Sequence, residues 1–252
     1  MTPRFERRLG TASFLALLVI GPLQAAAQST SELAAWDGLT LSPVGELAPV
    51  ARHTGDWTQG SSELALRYGR WRYDPDDAVH DNIGLTWSRG IGFARAQLSI
   101  TGTYEMVECP TCSAWASGAV ELQSALWDHH LGSAGHRPTR MGIGLRMSLG
   151  GAKYLGAEAS SAGSAAITLP LDIELPIGRT SALCASIVPG YGFGHIASPE
   201  SAAGGFLPMI GAAISWTVTS RFGVDVGMQR VIIDGGPTQV GAAFSLKLGP
   251  VK

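Results

Sequence analysis

The chain has 252 residues, of which 45% are hydrophobic, 15% are charged and 33 are glycine. An average soluble domain carries about 25% charged residues, so this sequence is poor in the side chains that usually cover a water-facing surface. Its longest strongly apolar stretch, residues 12–23, is shorter than the roughly 20 residues that a membrane-spanning helix needs. The composition therefore excludes a helical membrane protein.

The N-terminus has the pattern of an export signal. Three arginines within the first eight residues precede the apolar stretch, and three alanines stand before Gln28. A basic segment, an apolar core and a small-residue cleavage site predict a secretory signal peptide over residues 1–27. Its removal takes away three arginines and one glutamate, which changes the formal net charge from −2 to −4. An acidic mature chain argues against nucleic acid as a partner.

Residues 28–61 show no regular pattern and contain Pro43 and Pro49. We expect this segment to be an irregular lead-in on the periplasmic side, a plug inside the lumen or one extra hairpin. The remaining residues, 62–252, form the predicted barrel domain.

From residue 62 onward, apolar and polar residues alternate with a period of two, which predicts β-strands. The clearest case is the last strand, where Val240, Ala242, Phe244, Leu246 and Leu248 share one face. The pattern predicts ten strands, at 62–73, 82–89, 92–105, 115–127, 140–149, 165–175, 181–194, 206–218, 221–229 and 240–248.

Short turns and longer polar links alternate between these strands. Residues 89–90, 176–179 and 219–220 fit tight hairpin turns, whereas 128–138 is a longer link where a short turn is expected. Short turns at one end and longer loops at the other are typical of an up-and-down antiparallel transmembrane β-barrel of a bacterial outer membrane. An even strand number, ten with 8–12 possible, predicts that both ends of the barrel lie on the periplasmic side.

Alternation alone does not distinguish this barrel from a soluble one or from a secreted sandwich. The polar face of the strands is mainly Gly, Ser, Thr and Ala with few charges, which favours an interior over a water-facing exterior. Aromatic residues also cluster near strand ends, as in interfacial girdles. They are Tyr68, Trp71, Tyr73, Trp87, Phe93, Tyr104, Trp115, Trp127, Tyr191, Phe193, Phe206, Trp216 and Phe222.

The signal peptide, the repeated amphipathic strands and the last strand, Val240 to Leu248, carry a resemblance to a known class. The mature chain resembles the small outer-membrane β-barrel proteins of Gram-negative bacteria. The resemblance implies a place in the cell outer membrane, contact with outer-membrane lipid, insertion by the barrel-assembly machinery and no cofactor. Members usually finish on an aromatic residue, whereas here four residues follow Leu248 and the chain ends on lysine.

The alternation directs ten charged side chains into the predicted lumen, five basic and five acidic. They are Glu63, Arg67, Arg95, Glu121, Arg140, Arg146, Asp172, Glu174, Asp225 and Lys247. A ten-strand barrel is only slightly wider than an eight-strand barrel, whose interior side chains can fill. An unpaired buried charge is costly, so we expect an ion-pair network that closes the lumen. The alternative is a narrow, weakly selective, porin-like pore.

The three cysteines fall into two groups. Cys109 and Cys112 lie in a loop, and in an oxidising compartment they predict a small structural disulfide. A whole strand separates these cysteines from His129 and His130, which places the two pairs at opposite rims, so we expect no zinc or other metal site. Cys184 shares the inward face and is expected to be an inert small side chain.

Only one loop could carry chemistry, the run 74–77 with three aspartates, followed by His80 and Asp81. It could bind a divalent cation. An enzyme acting on protein or lipid at the barrel rim is an alternative, but the candidates on the facing loops, Asp234 and His195, lack the Asp-x-His arrangement of a rim protease. No common catalytic motif is present. The sequence therefore predicts a non-enzymatic protein with a structural, adhesive or surface-interaction role. A soluble periplasmic barrel that binds an apolar ligand is a further alternative.

Overall fold

The computed structural model describes residues 60–72, 79–91, 95–107, 114–132, 138–156, 160–198 and 202–248. Residues 1–27, where a signal peptide is predicted, and residues 28–59 lie outside these ranges. The described residues form eleven β-strands: β1 (Ser62–Arg72), β2 (Val79–Gly90), β3 (Ala96–Val107), β4 (Trp115–Leu131), β5 (Thr139–Tyr154), β6 (Ser161–Thr168), β7 (Leu171–Pro176), β8 (Ala182–Ala197), β9 (Ala202–Thr217), β10 (Phe222–Val231) and β11 (Thr238–Leu248).

The strands close into an up-and-down antiparallel barrel. Apart from β6 and β7, which do not pair with each other, each strand pairs with its neighbours in the chain. Strand β1 also pairs with β11 over its whole length, from Ser62 opposite Leu248 to Arg72 opposite Thr238. Strands β6 and β7 lie end to end between β5 and β8 and share one position in the wall. The wall therefore has ten positions, and the predicted fold class is confirmed.

The break between β6 and β7 falls at Leu169 and Pro170. Proline has no N–H to donate and interrupts a hydrogen-bond ladder. The wall stays connected because the N–H of Leu169 donates to the carbonyl of Pro189 at 2.9 Å and the N–H of Gly144 donates to the carbonyl of Pro170 at 2.8 Å. The interrupted strand thus remains bonded to β8 and β5.

Strand β4 contains a β-bulge. Its register with β5 shifts between Ala125 and Trp127, which leaves Leu126 as the inserted residue. The strand then continues to Leu131, four residues beyond the predicted end, so much of the expected link 128–138 is strand. The alternation stops at the bulge, which explains why the periodic pattern ended there.

The barrel has two mouths. The short-turn mouth holds the connections after β2, β4, β7 and β9 together with both ends of the barrel, and the loop mouth holds the connections after β1, β3, β5, β8 and β10. At the loop mouth, β8 continues to Ala197 and β9 begins at Ala202, whereas the sequence predicted a link over 195–205. Gly204 permits this close pairing, because a Cβ there would lie 2.5 Å from the carbonyl oxygen of Gly194.

The polarity of the barrel is inverted relative to a soluble protein. Large apolar side chains point outward and are exposed around the wall, among them Leu66, Leu85, Ile100, Val120, Leu149, Ile187, Ile214, Val226, Val240 and Phe244. The buried interior side chains are largely polar or charged, among them Glu63, Thr86, Ser99, Gln123, Asp172, Glu174, Ser215, Asp225 and Ser245.

Two aromatic residues occupy a different face from the one expected. Trp71 and Trp115 are 0% and 7% exposed and lie inside the barrel, so their predicted place in an interfacial girdle is wrong. Trp71 shares the parity of Glu63 and Arg67 on β1, and Trp115 packs with its ring centroid 5.3 Å from that of Tyr154. Outward-facing Trp87, Trp216 and Phe222 do lie near the short-turn mouth.

Candidate functional site in the barrel lumen

A group of charges lies in the lumen around Arg67, on three parts of the wall. This central cluster consists of Arg67 on β1, Glu63 four residues before it on the same strand, Glu121 on β4, Arg146 on the neighbouring strand β5, and Asp225 on β10. Arg67 is attracted electrostatically by the three carboxylates and repelled by Arg146. The carboxylates therefore balance two guanidinium groups that lie in the same section of the lumen.

Arg146 joins β5 to β4 through direct contacts. Its Nε and Nη2 donate to Oε1 of Gln123 at 3.2 and 3.1 Å, and its Nε lies 3.5 Å from Oε1 of Glu121. The Arg146 side chain is 14% exposed and that of Glu121 is 29% exposed. This part of the central cluster is thus less tightly enclosed than the interior around Asp225, which is 2% exposed.

A second set of charges follows the inner face of the wall along one side of the short-turn mouth. In this mouth chain, Nη1 of Arg95 lies 2.5 Å from Oδ2 of Asp128, which is also 3.3 Å from Nη2 of Arg140. Nη1 of Arg140 lies 3.9 Å from Oε1 of Glu174. The mouth chain therefore links the turn before β3 to β4, β5 and β7. Arg95 itself sits at the edge, with 59% of its side chain exposed.

The alternation in the sequence did not assign Asp128 to the lumen, although its side chain is only 6% exposed there. Counting by twos along β4 from Glu121 directs Asp128 outward, but the inserted Leu126 reverses the parity and turns Asp128 into the lumen. The available signal was the adjacent pair Leu126 and Trp127, two large apolar residues in succession, both of which point outward.

The remaining predicted lumen charges lie near these two groups. Asp172 and Glu174 are 5% and 7% exposed on β7. Glu63 lies opposite Lys247 in the register of β1 and β11, on the same inner face by the alternation of burial.

Near the loop mouth, the lumen holds a histidine–carboxylate pair. Nδ1 of His80 lies 2.6 Å from Oε1 of Glu105, whose side chain is fully buried. Asp81 points to the outer face instead, where it accepts hydrogen bonds from Arg70. The candidate chemical cluster in the sequence is therefore divided between the two faces of the wall, and residues 74–77 lie outside the described residues. Glu105 was also missed, although it has the same parity as Arg95.

Among the described residues, no group of three or more His, Cys, Asp and Glu side chains is placed to hold a metal ion. Cys184 is buried and faces the lumen beside Ala213, as the alternation predicted. Cys109 and Cys112 lie outside the described residues.

No family model matches the chain, and no curated protein matches it. Solved structures do match it. The N-terminal β-barrel domain of OprF from Pseudomonas aeruginosa is 12% identical, with 75% of this chain and 98% of that chain covered and a TM-score of 0.32. An outer membrane channel from Pseudomonas putida F1 is 10% identical, with 77% and 98% covered and a TM-score of 0.42. The β domain of the Bordetella autotransporter BrkA is 9% identical, with 75% and 100% covered and a TM-score of 0.40.

With Asp128 and Glu105, the lumen charges are no longer balanced in sign. The two carboxylates add to the five acidic and five basic side chains that the sequence assigned to the lumen. Acidic groups therefore exceed basic groups among the described lumen residues. Chemically, the hydrogen bonds and ion pairs of Arg140 and Arg146 join neighbouring strands along the inner face of the wall. In the described part of the chain, no helix combines the length and hydrophobicity needed to cross a membrane.

Proposed function

We propose that the protein is an integral β-barrel of the bacterial outer membrane, with a lumen closed to ions and a structural or surface-interaction role. The observation that carries this proposal is the inverted polarity of the wall. A soluble monomer rarely exposes contiguous apolar patches larger than a few hundred Å², whereas here exposed apolar side chains surround the barrel. A lipid hydrocarbon layer would cover that surface, and a signal peptide over residues 1–27 would direct the chain to the required compartment.

The contacts between the charged side chains of the lumen support the proposal that it is closed. Removing one partner of a buried ion pair costs about 3–5 kcal/mol, so a conducting path through the central cluster or the mouth chain would require the loss of favourable pairs. Arg140 and Asp128 join the neighbouring strands β5 and β4 at the short-turn mouth, and Arg146 and Gln123 join the same two strands further inside. These contacts support a sealed interior over an open channel.

A narrow pore is the second candidate, because the lumen is less enclosed on one side. Along β3 and β4, the inward side chains of Thr101, Ala119 and Glu121 are only half-buried. Such a path would prefer cations, since acidic side chains exceed basic ones in the described lumen.

Planar-bilayer recording separates the two candidates. We expect the purified mature protein to give no conductance or only small, infrequent openings. A large and steady conductance would contradict the closed lumen and would favour the pore.

Thiol counting tests the proposed external disulfide together with the position of Cys184. In the folded protein without reductant, we expect no cysteine to react with a thiol reagent, because Cys184 is buried and the periplasm favours oxidation of Cys109 and Cys112. Reductant should expose two thiols, and unfolding in reductant should expose three. Labelling of two thiols before reduction would contradict the disulfide.

A further inference from the structure

The middle of the lumen contains a small enclosed space, which we call the central chamber. On four strands, one inward residue near the middle of the strand is half-buried, while the inward residues two positions before and after it are buried. These half-buried residues are Arg67 on β1, Thr101 on β3, Gly190 on β8 and Gly227 on β10. On these strands, buried residues therefore separate the central chamber from both mouths.

Three polar side chains near the central chamber each have one atom without a hydrogen-bond partner among the described residues. The atoms are Nε of Arg67, Nε2 of Gln123 and Oγ1 of Thr168. Gln123 and Thr168 are only 3% and 6% exposed. All three groups are able to donate a hydrogen bond, and a buried donor that is left unpaired is costly. A bound group that accepts hydrogen bonds would remove this cost.

Arg146 lies between two of these donors on the inner wall. In the register of the sheet it is opposite Gln123 of β4 on one side and opposite Thr168 of β6 on the other. Thr168 is in turn opposite the half-buried Gly190 of β8. Arg146 contacts Gln123 and Glu121 through Nε and Nη2, and none of these contacts uses Nη1. Three neighbouring side chains thus offer donors to the central chamber.

Arg67 approaches the same space from the opposite wall. Four strand steps separate β1 from β5 in a wall of ten positions, and the guanidinium groups of Arg67 and Arg146 repel each other. Carboxylates and basic groups balance in number around them: Glu63, Glu121 and Asp225 against Arg67, Arg146 and Lys247. An anion between the two guanidinium groups would be attracted by both and would offset their repulsion.

We propose that the central chamber binds a small inorganic anion of the size of chloride, held by Arg146, Gln123 and Thr168 and faced by Arg67. Chloride only accepts hydrogen bonds, which matches a site whose unpaired groups all donate, and donors to an ion form the stronger class of hydrogen bond. The enclosure of the chamber favours a monatomic ion over a larger organic anion. The site lies inside the barrel, so it does not depend on the membrane placement proposed for the outer face.

Crystals of the mature protein refolded in sodium bromide test this site, because bromide replaces chloride and gives an anomalous diffraction signal. We expect an anomalous peak beside Arg146 in the wild-type protein. Gln123→Glu keeps the shape of the side chain but replaces the amide donor by an acceptor and adds a negative charge, so the peak should be lost. Gln229→Glu adds the same charge on the inner face of β10 and should keep the peak.

Thermal unfolding in detergent measures the affinity in solution. The unfolding temperature is recorded while chloride replaces gluconate at constant ionic strength, and chloride should stabilise the wild-type protein because it binds the folded state. Thr168→Val removes one donor without changing the shape and should raise the chloride concentration for half of the effect about tenfold. Gln123→Glu should abolish the effect.

Three results would overturn the anion site. They are a wild-type crystal in which water occupies the position beside Arg146, bromide peaks on the outer surface only, and equal chloride dependence in the wild-type protein and Thr168→Val. The last comparison decides the matter even if Gln123→Glu does not migrate as a folded barrel in an unheated gel.

Discussion

Replacing Val226 by arginine is expected to prevent most of the protein from assembling into the outer membrane. Val226 lies at the centre of β10, points outward and is 54% exposed. A charged side chain on the lipid face at the bilayer midplane costs about 2–4 kcal/mol. The measurement is the fraction of protein in the outer membrane that migrates as a folded barrel in an unheated gel.

The adjacent residue supplies the control for this substitution. Gly227 faces the lumen between Gly241 of β11 and Ala213 of β9, two small residues that leave room for a long side chain. An arginine there would also lie near the carboxylate of Asp225. Gly227→Arg should therefore assemble far better than Val226→Arg, and equal losses in the two variants would contradict the assignment of the two faces.

Replacing Arg146 by alanine is expected to open the lumen. The substitution removes the side chain that bonds Gln123 and lies beside Glu121, and it removes a positive charge from a lumen in which carboxylates already exceed basic groups. In planar bilayers, the conductance should rise several-fold above that of the unmodified protein. The current should also be carried preferentially by cations, because the carboxylates left behind attract them.

Arg95→Ala is the matched comparison for this effect. Arg95 lies at the edge of the short-turn mouth, and its partner Asp128 still contacts Arg140 when Arg95 is absent. Its removal should therefore change the conductance much less than the removal of Arg146. A larger increase in Arg95→Ala would indicate that the mouth chain, and not the central cluster, limits passage.

The period-two pattern predicted the strand positions of the wall because each strand has one apolar and one polar face over most of its length. The same rule explains why His80 and Asp81 cannot act together: adjacent residues of a strand point to opposite faces. Alternation is a local property, and it can be read from a single sequence wherever the strand is regular.

The structural features that the sequence did not predict depend on contacts between residues that are distant in the chain. The direction of Asp128 is set by the bulge, which is defined by the pairing of Ala125 and Trp127 with β5. The partner of His80 is Glu105, 25 residues away. Strand ends rich in glycine and alanine, as near Gly204, carry no hydrophobic period, so their pairing is visible only in the folded barrel.

Cell fractionation followed by gel electrophoresis of heated and unheated samples tests the central claim most directly. A closed barrel with a lipid-facing exterior should occur in the outer-membrane fraction and should migrate faster before heating than after it, because the folded wall stays compact in detergent. Recovery of the protein in the soluble periplasmic fraction, or identical migration of heated and unheated samples, would contradict an integral outer-membrane barrel.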